Sequence, residues 1–330
     1  MYLIRVAVAI VIGLTAIAAG GGKAVAQESK TKITIALSSS GLVVAGLRIA
    51  EMSGLFAKHG LDPRFILMDS GNATVTALLS GAADFAATGP TDALAARARG
   101  RDIVFVANLY RGYAGAVVVS KSAAERAGVP PGAPLKDRLA SLGRMTVAGP
   151  SPTAGYTTVL RNVADSNGVA LKFVYMAQPA MTAALEAGAI DAMSAGPPFW
   201  GVSVSRGTGV LWISADDLPA NMVPASSNSL QTTRAYAVAH TEVVSRLRSV
   251  LDDVSKLIEG DPTKARAALT KAYTQISQGD LDFAFDQERK RWTAPSFTEA
   301  DVRQEILLFS AGGGLTVQDI SAKEMLLNSP

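Results

Sequence analysis

The sequence predicts a two-lobed α/β protein in which each lobe holds a mostly parallel sheet flanked by helices. Two observations lead to this prediction. Segments typical of buried strands alternate with segments of helical spacing, and part of the first half of the chain recurs in the second half. With 330 residues and 48% hydrophobic side chains, the chain can bury the cores of two lobes.

The first hundred residues alternate between predicted strands and helices. The predicted strands are short, apolar runs at 32–37, 64–68, 84–87 and 102–109, and the predicted helices cover 42–59, 74–79 and 91–99. Gly60 follows the first helix, at a position where a left-handed C-cap favours glycine. Strands separated by helices in this way predict a parallel sheet with right-handed crossovers.

An internal repeat indicates that both lobes share one plan. Residues 72–90 read NATVTALLSGAADFAATGP, and residues 179–197 read PAMTAALEAGAIDAMSAGP. The two segments are identical at Ala73/Ala180, Ala77/Ala184, Leu78/Leu185, Gly81/Gly188, Ala82/Ala189, Asp84/Asp191, Gly89/Gly196 and Pro90/Pro197. Weaker matches upstream, 60–68 with 168–176 and 33–36 with 145–148, occur in the same order. The alternative is convergent α/β composition without a shared plan.

The repeat predicts how the chain divides between the lobes. Residues 108–120 leave the first lobe and enter the second, and residues 229–239 are the predicted return crossing. We therefore expect lobe I to comprise 27–110 and 236–330, and lobe II to comprise 111–235. From His240 onward the pattern is helical, and this tail is expected to pack on lobe I.

The first 26 residues have the layout of a cleaved secretory signal peptide. Arg5 precedes an apolar run at 6–18, and the small-residue pattern Ala24-Val25-Ala26 precedes Gln27. A transmembrane anchor is the alternative, but the run is shorter than the roughly 20 residues that span a bilayer. The expected location is the periplasm. Removal of 1–26 leaves 29 basic and 28 acidic residues, and no basic run with interleaved aromatics points to nucleic acid.

The sequence lacks the motifs of common catalytic sites. With no cysteine, disulfides, zinc–thiolate sites and cysteine nucleophiles are excluded. There is no G-x-S-x-G, H-E-x-x-H or G-x-x-x-x-G-K-[ST] motif, and the two histidines, His59 and His240, fall at predicted helix ends. We expect no enzyme activity, no metal and no cofactor.

The stretch 50–63, AEMSGLFAKHGLDP, and the stretch that ends ALLSGAADFA resemble a known family. They are similar to the substrate-binding proteins of ABC importers of the nitrate/sulfonate/taurine type, which are related to thiamine-pyrimidine-precursor binding proteins. The resemblance implies a type II periplasmic-binding-protein clamshell with two hinge crossings, and a monomer that binds a small solute and docks on a membrane permease with its ATPase. An exported sensor for a membrane receptor is the main alternative. An enzyme like the related pyrimidine synthases is less compatible, because their cysteine-rich motif has no counterpart in this chain.

The predicted binding site lies in loops at the carboxyl ends of the strands, where open α/β sheets bind ligands. The candidate residues are Ser38, Ser39, Ser40, Gly41, Leu42, Ser70, Gly89, Pro90 and Thr91 in lobe I, and Ser151, Thr153, Ala154, Gly155, Tyr156, Gln178, Gly196, Pro197 and Phe199 in lobe II. Helix N-termini and hydroxyl groups favour an anion. Because these loops contain no arginine, we expect a monoanion such as a sulfonate or carboxylate, or a neutral ring compound against the aromatic side chains. Alternatively, the serines are helix caps and the aromatic residues belong to the core.

Overall fold

The computed structural model describes residues 30–150, 152, 154–311 and 320–327. The predicted signal peptide and two candidate site residues, Ser151 and Thr153, therefore lie outside the described residues. Within the described ranges, no helix is long and apolar enough to cross a membrane.

The first half of lobe I alternates strands and helices as predicted. Its elements are β1 (Thr31–Leu37), α1 (Ala45–Met52), α2 (Leu55–Lys58), β2 (Leu61–Leu67), α3 (Gly71–Leu79), β3 (Phe85–Thr88), α4 (Pro90–Arg97) and β4 (Ile103–Arg111). The single helix predicted over 42–59 is wrong: the chain forms a 3-10 turn at Leu42–Val44, then α1 and α2. Gly54, with a φ of 72°, separates these two helices because the left-handed conformation interrupts helical geometry.

The second lobe repeats this plan with its own strands and helices. Its elements are β5 (Ala116–Ser120), α5 (Lys121–Ala127), α6 (Leu135–Leu142), β6 (Thr146–Gly149), α7 (Gly155–Ser166), β7 (Lys172–Tyr175), α8 (Gln178–Glu186), β8 (Ala192–Ala195), α9 (Phe199–Ser205) and β9 (Gly209–Ile213). Short 3-10 turns follow at Ala215–Asp217 and Ala220–Met222.

The remaining chain returns to the first lobe. Strand β10 (Ser226–Thr233) is followed by α10 (Arg234–Ala239), α11 (Thr241–Gly260), α12 (Pro262–Ala272), α13 (Gln278–Glu288) and α14 (Glu299–Ala311), with 3-10 turns at Arg289–Trp292 and Lys323–Met325. Apolar residues of α11, α12 and α13 enter the core on one face of the first sheet. Residues of α3, α4 and α14 form a second core on the opposite face.

The two sheets have matching strand orders. The first runs β2-β1-β3-β10-β4 and the second runs β7-β6-β8-β5-β9. In each sheet the fourth strand is antiparallel to its neighbours, so the other four strands point the same way. The predicted α/β lobes with mostly parallel sheets are therefore confirmed. Because the carboxyl ends of parallel strands lie at the same end of a sheet, the predicted site loops of each sheet lie together at that end.

The chain crosses between the sheets at two adjacent places. The first crossing is Gly112–Gly115, between β4 and β5, and the second directly precedes β10. The Gly112 amide donates to Ala225 O at 2.7 Å, and the Ser227 hydroxyl donates to Gly112 O at 2.9 Å. The return crossing is expected at 229–239 but lies before residue 226. The reason is that Ser226–Thr233 already pairs with β3 and β4 in the first sheet.

The residues shared by the repeat have equivalent structural roles. The Asp84 carboxylate accepts the Thr34 amide proton at 2.7 Å, and the Asp191 carboxylate accepts that of Thr146 at 2.9 Å. Thus each aspartate ties the start of its strand to the strand beside it. Gly81 and Gly188 likewise both adopt left-handed conformations, with φ of 76° and 71°, in the turn before these aspartates.

Asp84→Ala and Asp191→Ala should each lower the free energy of unfolding by about 1.5–3 kcal/mol, the cost of losing a hydrogen bond to a charged group. Urea unfolding of the purified protein measures the change. Asp62→Ala, at an exposed position of edge strand β2, is the control and should have little effect. If both variants match Asp62→Ala, the repeated aspartates do not stabilise their sheets.

Candidate functional site

The predicted loops of the two lobes contact each other directly. The Leu42 amide at the start of the 3-10 turn donates to Pro197 O, in the loop after β8, at 3.2 Å. A Cβ on Gly41 would lie 3.0 Å from the same carbonyl oxygen. We call this meeting of Gly41 and Leu42 with Pro197 the interlobe contact; all three residues are buried.

Tyr156, at the N-terminus of α7, reaches from lobe II to the core of lobe I. Its side chain passes over Gly196, where an added Cβ would lie 2.3 Å from the Tyr156 hydroxyl oxygen. The backbone carbonyl of Tyr156 accepts hydrogen bonds from the hydroxyls of Tyr113 at 3.2 Å and Ser194 at 2.9 Å. Glycine at 196 therefore allows an aromatic side chain to lie between the lobes beside the interlobe contact.

Gln178 supports the loop between β8 and α9 through a hydrogen bond. Its side-chain oxygen, Oε1, accepts the Gly196 amide proton at 2.7 Å. This bond fixes the turn between β8 and α9, so Gln178, a predicted ligand residue, bonds the protein backbone in this structure. The structure thus brings together Gly41, Leu42, Tyr156, Gly196 and Pro197, with Gln178 supporting them.

The serines at the tips of the first sheet make local capping contacts. Ser39 Oγ accepts the Gly41 amide proton at 2.9 Å, and Ser70 Oγ accepts that of Ala73 at 3.2 Å as the N-cap of α3. The alternative role as helix and turn caps is therefore present for both residues. These bonds leave each hydroxyl proton available, since each oxygen acts as an acceptor.

The other candidates differ in exposure. Ser40, Ser70, Thr91 and Gly155 are exposed, Pro90 is buried, and Ser38, Gly89 and Ala154 are intermediate. Phe199 packs beside the core formed by α8, α9 and the second sheet, the alternative given for the aromatic residues.

Several residues that the sequence does not predict as site residues also lie in this region. The Tyr273 hydroxyl, at the end of α12, donates to Gly41 O at 3.0 Å and so holds the lobe I side of the interlobe contact. The Tyr110 hydroxyl donates to the buried Glu288 carboxylate at the end of α13. These residues come from the tail and from the last strand of the first βα series, and no motif marked them.

Asp92 adds a carboxylate at the tips of the first sheet. The Thr88 hydroxyl donates to Asp92 Oδ2 at 2.5 Å, and a Cβ on Gly71 would lie 2.1 Å from that oxygen. Burial raises the pKa of Asp92, while the bonds from Thr88 and the Gly89 backbone oppose this rise. The available sequence signal was its position in the first turn of α4, where carboxylates interact favourably with the helix dipole.

Two further buried carboxyls lie near the crossings. Burial raises the pKa of Glu288 to about 7, against the hydrogen bond from Tyr110 and the charge of Arg291. Burial also raises the pKa of Glu305, on α14, to about 8. Glu305 accepts the Ser226 amide proton at 2.9 Å and so contacts the start of β10, directly after the second crossing.

A cavity of about 400 Å³ lies away from the interlobe contact, along edge strand β4. Its lining includes Val106, Arg248, Asp252, Phe297 and Lys323. The Arg248 side chain donates from Nε to Val106 O at 2.9 Å. Within the part of the chain that the structure describes, no group of three or more histidine, aspartate or glutamate side chains is placed to hold a metal ion.

Gly196→Ala should shift the packing between the lobes, because the new methyl group would overlap the Tyr156 hydroxyl. We expect a loss of about 1–3 kcal/mol in the free energy of unfolding, typical of overpacking, measured by urea unfolding. Gly155→Ala is the matched control among the candidate glycines, because a Cβ there meets no atom within 4 Å. Equal stability of the two variants would contradict the tight fit of Tyr156 over Gly196.

The raised pKa values of Glu288 and Glu305 predict that stability falls as pH rises from about 4.5 to 8. Both groups hold a proton more tightly in the folded than in the unfolded chain, so their stabilising effect is full below pH 4.5 and is lost through their folded pKa values. The expected loss is on the order of 3 kcal/mol per group. Urea unfolding at pH 5 and pH 8.5 measures it.

Glu288→Gln and Glu305→Gln should each flatten this pH dependence, since glutamine resembles the protonated carboxyl in shape and does not titrate. Glu259→Gln, at an exposed position of α11, should leave the dependence unchanged. A pH profile that is identical in all three variants and the parent protein would show that neither buried carboxyl titrates in this range.

Comparisons with solved structures show what this fold is similar to. The alkanesulfonate-binding protein SsuA from Xanthomonas axonopodis pv. citri, bound to MOPS, superimposes with a TM-score of 0.70 at 16% identity, over 91% of this chain and 99% of that chain. The aliphatic sulphonate binding protein SsuA from Escherichia coli superimposes with a TM-score of 0.67 at 16% identity, over 86% of this chain and 92% of that chain. The nitrate-binding protein NrtA from Synechocystis PCC 6803 superimposes with a TM-score of 0.62 at 15% identity, over 90% of this chain and 84% of that chain.

These likenesses confirm the predicted two-lobed type II binding-protein fold. All three proteins are named as binding proteins. None of the curated protein sequences compared with this chain matches it. The sequence model of the NMT1-like family matches residues 26–273. The resemblance to nitrate- and sulfonate-type substrate-binding proteins is thereby confirmed, and because the match covers about three quarters of its length, the chain belongs to the NMT1-like family.

Proposed function

We propose that this protein is an exported solute-binding protein that captures a small molecule between its lobes and delivers it to an ABC importer. One observation carries the proposal: the strand-tip loops of both sheets meet at the interlobe contact, where Leu42 donates to Pro197 O at 3.2 Å. A ligand bound there would touch both lobes at once. Ligand that bridges two lobes favours their closed arrangement.

The names of the similar structures support this role. Those proteins bind alkanesulfonate, aliphatic sulphonate or nitrate, and two are named as periplasmic. Together with the N-terminal pattern at 1–26, this supports cleavage after Ala26 and a periplasmic location. We propose the lobes expected from the sequence, lobe I with 27–110 and 236–330 and lobe II with 111–235. The one exception is β10, which lies within 111–235 but belongs to the sheet of lobe I.

The polar groups at the site favour an uncharged ring compound or a monoanion over a dianion. Asp92 lies at the tips of the first sheet, and Glu288 lies beneath Tyr110. Burial raises the pKa of both carboxyls, and where either is ionised it repels a negatively charged solute, the more so the higher the charge of that solute. The rings of Tyr113 and Tyr156, with centroids 6.1 Å apart, offer an aromatic surface. The N-termini of α3 and α4 can still accept one negative charge.

The candidate ligand residues follow from this position. Gly41, Leu42, Tyr156, Gly196 and Pro197 are proposed to contact the solute when the lobes separate enough to admit it. Gln178 would act by holding the Gly196 loop, at 2.7 Å. The remaining tip residues, Ser38, Ser39, Ser40, Ser70, Gly89, Pro90, Thr91, Ala154 and Gly155, would surround the opening, and Phe199 would support its wall from the lobe II core.

A thermal-shift screen tests the proposal with small anions, alkanesulfonates, aromatic carboxylates and pyrimidines as probes. A solute at one hundred times its dissociation constant should add about 2.7 kcal/mol of stability. For the solute that binds, calorimetric titration of Tyr156→Ala should show at least about a ten-fold loss of affinity, and Ser39→Asp should show a similar loss if the solute is anionic.

Ser122→Asp is the matched control for Ser39→Asp. It places an aspartate at an exposed position in the first turn of α5. Because β5, which precedes α5, is antiparallel to the other strands, this turn lies at the end of the second sheet opposite to the predicted site loops. This variant should bind as the parent does. Full affinity in Tyr156→Ala would remove the interlobe site, whatever the solute. Delivery is tested separately: uptake of the labelled solute should stop in cells that lack the protein, whereas a sensor would leave uptake intact.

A further inference from the structure

The segment 278–292, formed by α13 and the 3-10 turn after it, lies against both lobes. Its apolar side is part of lobe I: Leu281, Phe285 and Trp292 are buried in the core on one face of the first sheet. The family match ends at residue 273, before this segment begins. We call 278–292 the strap.

The first half of the strap makes an ion pair and hydrogen bonds with lobe II. Asp280 Oδ2 accepts from the Arg206 guanidinium at 2.9 Å, and Asp280 Oδ1 accepts from the Ser205 hydroxyl at 2.6 Å. Asp280 is 6% exposed, although it is charged. Both partners lie at the end of α9, so this carboxylate contacts lobe II directly.

An aromatic contact lies one helical turn further along the strap. The Phe283 ring meets the Trp200 ring of α9 edge to face, with centroids 6.3 Å apart. Phe283 also lies against Gly201, where an added Cβ would be 3.5 Å from its ring. Phe283 packs with the lobe II core rather than with the core of its own lobe.

The end of the strap contacts the crossings. The Glu288 carboxylate accepts from the Tyr110 hydroxyl, two residues before the first crossing. Arg291 lies beside Gly112, where an added Cβ would be 2.8 Å from its Nη1, and its guanidinium is 3.7 Å from the Asp216 carboxylate of lobe II. The strap therefore begins on α9 of lobe II and ends at the hinge.

We propose that the strap is a non-covalent third connection between the lobes, and that its contacts with Arg206 and Trp200 hold the closed arrangement and separate when the lobes open. The two covalent crossings are hydrogen-bonded to each other at Gly112 and Ala225, so by themselves they permit rotation of one lobe against the other. Contacts from α13 to α9 oppose this rotation, because Asp280 lies eight helical residues, about 12 Å, from Glu288 at the hinge. This inference rests on the opening and closing in the proposed function.

Distance measurements between spin labels test the strap. The chain has no cysteine, so Thr76→Cys on α3 and Ala183→Cys on α8 create two labelling positions, both exposed and equivalent in the repeat. Pulsed electron resonance then gives the distribution of distances between lobes. In Arg206→Ala and in Phe283→Ala, the fraction of molecules whose label-to-label distance lies outside the main peak of the parent protein should rise at least about two-fold. Each variant removes one contact between the strap and α9.

Arg126→Ala is the matched control. Arg126 is another exposed arginine of lobe II, but its partner at 2.7 Å, Asp191, lies in the same lobe. This variant should keep the parent's distribution, and circular dichroism checks that all variants are folded. Arg206 is half exposed, so its replacement should leave the fold intact even if Phe283→Ala disturbs the core.

Two outcomes would overturn the strap and can be told apart. If a solute from the screen shifts the parent's distances while both strap variants match the parent, the lobes move and the strap does not restrain them. If no variant and no solute changes the distances, the lobes do not move, and the proposed opening fails with the strap.

Discussion

The path of the chain between the sheets determines where the described candidate site residues lie. The chain enters the second sheet on β5 and returns to the first on β10, and each of these strands runs antiparallel to the other four strands of its sheet. The two crossings are hydrogen-bonded side by side. The loops at the carboxyl ends of the parallel strands consequently meet, and the interlobe contact between Leu42 and Pro197 forms there. The close approach of Tyr156 over Gly196 depends on the same arrangement.

The features that the sequence predicts well are those set by local geometry. The repeat predicts two equivalent lobes because Asp84 and Asp191 must each bond a strand amide, and Gly81 and Gly188 must each turn with positive φ. The strand-tip loops follow from topology alone. The apolar spacing of 42–59 persists through Gly54 and predicts one continuous helix, because periodicity does not register a single left-handed residue.

The side chains that complete the candidate site depend on contacts between distant parts of the chain. Tyr273 and Glu288 belong to the helical tail, whose docking on lobe I no local pattern specifies. Hydroxyl and amide groups also have several possible partners: Ser39 and Ser70 cap their own turns, and Gln178 bonds Gly196. The sequence therefore predicts that these three residues lie at the strand tips, but not the bonds they make.

Buried acids connect the tail to the hinge. Glu288 lies beneath the first crossing and Glu305 bonds the strand after the second, and burial raises the pKa of both carboxyls. With the strap on α9, the tail thus contacts the hinge and lobe II while its apolar side belongs to lobe I. The tail helices therefore help to set the relative position of the lobes.

The most direct measurement is a crystal structure of the protein with a solute that binds in the thermal-shift screen. We predict that the solute lies between the lobes, in contact with Tyr156 and with the Gly41–Leu42 turn. A solute found instead in the cavity beside Arg248 and Phe297, with the interlobe contact undisturbed, would contradict it.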